Sequence, residues 1–103
     1  MSSRLPVVVV DSAAQAIAEA SKWWLANRDK APDAFAEELG RAFQLIASQP
    51  NIGARALNAR LDGVRRIHLA RIRYHLYYRV VTKPLSIQVL AFWHTSRGSA
   101  PPV

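Results

Sequence analysis

In the stretch RYHLYYR, Arg73, His75, Tyr77 and Arg79 occupy every second position, so an extended backbone sets all four on one face. Guanidinium groups interleaved with an imidazole and a phenol hold phosphates while the rings stack on bases. That is the chemistry of a polyanion-binding or RNA-cleaving surface, although an ordinary solvent-facing strand carries the same residue types. His94 and Arg97, in the run HTSR, supply a second pairing, an acid or base beside a phosphate clamp. They can equally form a structural hydrogen bond that fixes the C-terminus. His68, His75 and His94 show no ligand spacing, and the chain has no cysteine. Neither a metal site nor a disulfide is therefore expected. A glycine-rich phosphate loop, a serine elbow and a carboxylate pair are all missing, and no cofactor is expected.

Charge gives these residues a setting. Residues 1–54 carry five Lys/Arg against six Asp/Glu, net −1, whereas residues 55–103 carry nine against one, net +8. Basic charge kept only for solubility would be spread over both halves, so the asymmetry points to an anionic partner, nucleic acid or acidic protein. Arg65 and Arg66 join the third-strand residues and Arg97 in the expected polyanion-binding surface. At 103 residues, half of them apolar, the chain suits one domain with a core of its own. No apolar run approaches the roughly 20 residues of a membrane span, and LPVVVV is too short for a signal-peptide core. A cytoplasmic protein is expected.

The positioning elements follow from periodicity. Residues 5–10 read as a β-branched strand buried on both faces, with Pro6 near its start or on an edge. Ser12 and Gln15 fit a capping box for a helix over 13–27, whose apolar stripe is Ala14, Ile17, Ala18, Ser21, Trp24 and Leu25. Trp23 borders that stripe. After a polar link, Pro32 takes the favoured first position of a second helix. Its apolar face is Phe35, Leu39, Ala42, Phe43 and Ile46, with Gly40 placed to let the first helix approach. Residues 50–63 form a loop ending in the Asp62-Gly63 turn, and beyond it the period changes to two. Strands are expected over 64–69, 73–81 and 85–93, the last apolar on both parities as a central strand. The order is β-α-α-β-β-β, an α+β fold with a helical hairpin packed on a small antiparallel sheet. Residues 1–97 form the domain, and 98–103, with two prolines, are expected to hang as a flexible tail.

The segments VRRIHL, RYHLYYRV and VLAFWHTSR, in this order behind a helical hairpin, resemble the toxins of the RelE/ParE superfamily. These are the toxin components of bacterial type II toxin–antitoxin modules, often described as plasmid stabilisation proteins, and the likeness runs over nearly the whole chain. The resemblance implies one of two targets. RelE-like members cleave mRNA on the ribosome through basic sheet residues, which here correspond to His75 and Arg97, with Arg73 and His94 as further candidates. ParE-like members share the fold and inhibit DNA gyrase. The tyrosine that RelE carries late in its C-terminus has no counterpart after Arg97, and VLAFWHTSRGS is closer to the ParE-like branch. A third possibility is a non-toxic module that retains only antitoxin binding. The resemblance further implies a cognate acidic antitoxin, and contact with operator DNA only through that antitoxin.

Overall fold

In the computed structural model, which describes residues 4–103, the chain runs β1 (Val7–Val9), α1 (Asp11–Asn27), α2 (Ala34–Ser48), β2 (Ala54–Arg55), β3 (Arg65–Leu69), β4 (Tyr74–Thr82) and β5 (Leu85–His94). The strands form one sheet in the order β1-β5-β4-β3-β2. Pairing is antiparallel from β2 through β5, but β1 joins β5 in parallel, so the sheet is mixed. Two departures from the sequence expectation lie here. The short β2 forms inside the expected loop, and β1 is a sheet edge with Val8 55% exposed, not a strand buried on both faces.

Both helices pack on one face of the sheet. Their shared core gathers Trp24, Phe35, Leu39 and Ile46 against Leu69, Leu76, Tyr78, Ile87, Val89 and Phe92. Tyr78, Ile46, Leu76, Ile87 and Val89 are essentially fully buried, and each such side chain contributes about 1.5–3 kcal/mol. α2 buries the expected Phe35, Leu39, Ala42 and Ile46. α1 is turned from its expected stripe: Ala13, Ala20 and Trp24 face inward, whereas Leu25 is 60% exposed. The cause is the early start of α1 at Asp11 and the small side chains along it, which leave Trp24 to fix the rotation. That indole donates to the Ala31 carbonyl at 2.8 Å and anchors the interhelix link.

Other local expectations are corrected too. The Ser12–Gln15 capping box does not form, because Ser12 lies inside the helix and Val10 is its N-cap. Pro32 precedes α2 in a turn. A methyl group added at Gly40 would meet nothing within 4 Å, so this glycine mediates no close approach of the helices. β5 carries a bulge: Tyr77 pairs with Ala91 and Tyr78 with Val89, leaving Leu90 as the extra residue. The bulge puts Leu90 and Ala91 together on the face away from the helices and returns Phe92 to the helix side.

Residues 98–103 do not hang free. The Trp93 indole donates to the Ser99 carbonyl at 2.6 Å, Pro101 is buried, and Val103 packs in a second core with Val64, Tyr77, Leu90 and Ala91. This small cluster covers part of the sheet face that the helices leave open.

Candidate functional site

The expected surface divides between the two faces of the sheet. Arg66, His68, His75 and Tyr77 project from the face opposite the helices, where neighbouring strands place Arg66 against Tyr77 and His68 against His75. Cross-strand pairing also brings Trp93 beside His75. Arg97 lies over the Trp93 ring, 3.8 Å from its centroid. A groove of about 240 Å³ runs between Arg66, His75, Trp93 and Arg97. It is a cationic, aromatic-walled depression, shaped to hold a phosphate against an indole.

Of the other expected residues, Tyr77 and His94 also border it, whereas Arg65, Arg73 and Arg79 do not. Tyr77 is buried and meets Arg66 only through a long 3.4 Å contact from guanidinium to hydroxyl. Arg79, four positions beyond His75 and so about 14 Å away, donates from Nε to Gln88 Oε1 at 2.8 Å. Arg65 points to the helix side and donates to the Gly53 carbonyl at 2.8 Å, tying down the loop before β2. Arg73 is not on the strand at all. It occupies the β3–β4 turn with φ +64 and borders a cavity on the helix side.

His94, at the end of β5, borders both this groove and the helix-side cavity, and is edge-on to Tyr74 at 4.9 Å between ring centroids. Its Nδ1 accepts from the Ser96 N–H at 3.1 Å and lies 2.6 Å from Ser96 Oγ. In the neutral ring the proton therefore resides on Nε2. The hydrogen bonds are made within the HTSR run, to Ser96 and not to Arg97. Burial raises the Tyr74 phenol above its ordinary value, with Arg97 pulling against it.

The proton affinity of His75 is perturbed: burial lowers it first, and the charges of Arg66 and His68 lower it further. The folded ring thus binds its proton less tightly than the unfolded ring. As pH falls through the ordinary histidine range the unfolded chain takes up the proton first, so stability is full above that range and declines within it. Replacing His75 with Gln is expected to flatten the loss of melting temperature between about pH 7.5 and pH 5.5. A variant whose profile overlays the parent would remove His75 as the group responsible.

Sequence reasoning missed Trp93 as a site residue, and on the helix side Trp23, Arg28 and Arg71. The signal for Trp93 was its cross-strand register with His75, which no linear spacing displays. Among the described residues no group of three or more His, Asp or Glu is placed to hold a metal ion. Nor, among them, is any helix long and apolar enough to cross a membrane.

The family model for the ParE toxin of the type II toxin–antitoxin system parDE matches residues 7–98. The chain belongs to the ParE toxin family. Its fold is also that of a solved structure described as the chromosomal ParDE TA system from P. aeruginosa. The TM-score is 0.69 at 19% identity, over 90% of this chain and 98% of that one. A sequence comparison with curated proteins returns no match. For a ParE-family chain the arrangement matters for what it separates: His75 and Arg66 line one groove and Arg73 another cavity, with His94 bordering both.

Proposed function

We propose that this chain acts as a ParE-like toxin that inhibits DNA gyrase and is neutralised by a cognate acidic antitoxin. Membership of the ParE family over residues 7–98 carries the reading. The site geometry supports it, because a nuclease needs an acid, a base and a phosphate clamp around one scissile bond. Here Arg73 lines a different cavity from His75, Tyr77 is buried, and the His94 Nδ1 is already engaged by Ser96. A protein that acts by occupying its target needs only a complementary surface. Arg66, His75 and Arg97 on the open face form the part of that surface we assign to target contact.

The antitoxin contact is argued from a different region. Ile52, Leu57 and Leu61 are exposed in the loop that also carries Arg55 and Arg60. An acidic segment with spaced apolar residues would bury the first set and pair with the second. Association is expected to slow steeply with added salt, and the Arg55→Glu/Arg60→Glu double variant to slow it about tenfold at low salt. A salt-independent on-rate in stopped-flow mixing would contradict this placement.

Inducible expression of the chain alone tests the function. Growth arrest with a DNA-damage response and intact translation, together with inhibition of supercoiling by purified gyrase, is the expected result. Arrest with cleaved mRNA and lost translation would instead favour a ribosome-dependent nuclease built on the groove of His75, Arg66 and Arg97. Normal growth would leave a non-toxic antitoxin-binding module.

A further inference from the structure

The largest cavity among the described residues is not the groove just assigned. It lies on the helix side, about 670 Å³ in volume, between the C-terminal end of α1 and the β3–β4 turn. Its walls include Trp23, Trp24, Arg28, Arg71, Arg73 and His94. A volume of this order is within the ordinary range of small-ligand sites. No carboxylate lines it among the described residues.

Three features make the cavity specific in chemistry. Trp23 is 51% exposed and contributes its indole to the cavity wall. Arg28 lies over both indoles, 5.1 Å from the Trp23 ring centroid and 5.8 Å from that of Trp24. Arg71 shares an exposed carboxylate with Glu37 at 3.2 Å, while Arg28 and Arg73 have none within ion-pair distance among the described residues. Arg73 adds an independent indication. Its φ of +64 is a left-handed conformation that glycine adopts without strain and arginine does not. Backbone outliers of this kind cluster at ligand sites, and Arg73 lines the cavity.

We propose that this cavity is a nucleotide-binding site, with the base stacked on Trp23 and the phosphate held by Arg71 and Arg73. Guanidinium forks match phosphate oxygens in pairs, and a phosphate carries more charge than the single carboxylate that an acidic side chain supplies. The indole wall selects a flat aromatic partner. One ligand class joins both features. His94, whose Nδ1 is occupied by Ser96, retains Nε2–H as a donor at the same wall. Trp23, Arg71 and Arg73 do not border the target-contact groove, so the site does not depend on the gyrase reading.

Titration of the whole chain with ADP, followed by tryptophan fluorescence, tests the proposal. ADP is expected to quench the signal and to bind more tightly than adenosine or inorganic phosphate, since each of these supplies only half of the recognition. Trp23→Ala and Arg73→Gly are each expected to weaken ADP binding about tenfold. Neither change should unfold the domain, because Trp23 is at the surface and glycine fits the Arg73 backbone; melting curves check this. A 5′-phosphorylated oligonucleotide that binds more tightly than ADP would identify a strand end as the source of the nucleotide, and weaker binding would identify the free nucleotide; both support the site. ADP binding that both variants leave unchanged, or that is no tighter than phosphate, would overturn it. Polyglutamate binding as tightly as ADP would also overturn it in favour of an acidic peptide.

Discussion

Phe35→Ala is expected to cost about 3–5 kcal/mol, the range for truncating a buried aromatic ring. Phe35 stands where α1, α2 and the sheet meet. Its ring lies 6.3 Å from Trp24, 6.4 Å from Tyr74 and 5.8 Å from Phe92, the last two edge-to-face. Tyr74 and Phe92 stack in turn at 4.2 Å with their planes 7° apart. Removing Phe35 leaves a void that a sheet on one side and two helices on the other cannot collapse to fill. A domain of this size has about 5–15 kcal/mol in total, so the variant retains little or none of that margin. The loss also reaches the helix-side cavity, because Trp24 and Tyr74 form its inner wall. Chemical denaturation with Phe35→Leu as a companion tests the point. A loss for Phe35→Ala below about 1 kcal/mol, or a Phe35→Leu variant as stable as the parent, would show that the aromatic cluster is not what joins the layers.

The second large effect is expected at Gly53. A Cβ built there would lie 2.8 Å from Tyr78 Oη and 2.9 Å from the Arg66 carbonyl oxygen. One of these is backbone of β3, and the other is the tip of a fully buried side chain, so neither can yield freely. Tyr78 Oη accepts the Gly53 N–H at 2.9 Å and donates to the Pro50 carbonyl at 2.8 Å. Burial raises the Tyr78 phenol above its ordinary value, against the opposing pulls of the Gly53 hydrogen bond and Arg65, so the proton it donates stays in place. Gly53→Ala is expected to lose about 2–4 kcal/mol from overpacking and disrupted hydrogen bonds together. In a Tyr78→Phe background the same change should cost about 1 kcal/mol less, because the nearest obstructing atom is gone. Strict additivity in thermal or urea unfolding would show that the clash with the β3 backbone alone sets the cost.

These two positions illustrate which parts of the molecule linear reading reaches. Phe35 is visible as core from its place in the α2 stripe, and the helix-to-sheet change in periodicity marks where the two layers divide. Gly53 is not visible, since it sits in an aperiodic loop and its partner Tyr78 is 25 residues away in sequence. The stripe of α1 misleads because alanines are spread around the helix. Small apolar residues populate several faces of a helix, and only the docking of Trp24 selects one.

For the candidate site the division is sharper. Composition and alternation alone determined the α+β order, the basic character of the C-terminal half and the strand that carries His75; these rest on local periodicity and on charge, both properties of neighbouring residues. Tertiary structure decided which of those residues meet. The left-handed turn at Arg73 takes that arginine off the strand face, and the bulge at Leu90 sends Trp93 to His75 and His94 to Tyr74. The buried Pro101 and Val103 cover Tyr77. Each outcome is set by a single-residue shift in register or by contact between distant segments. A side-chain period of two carries no record of where such a shift occurs, and only packing fixes it.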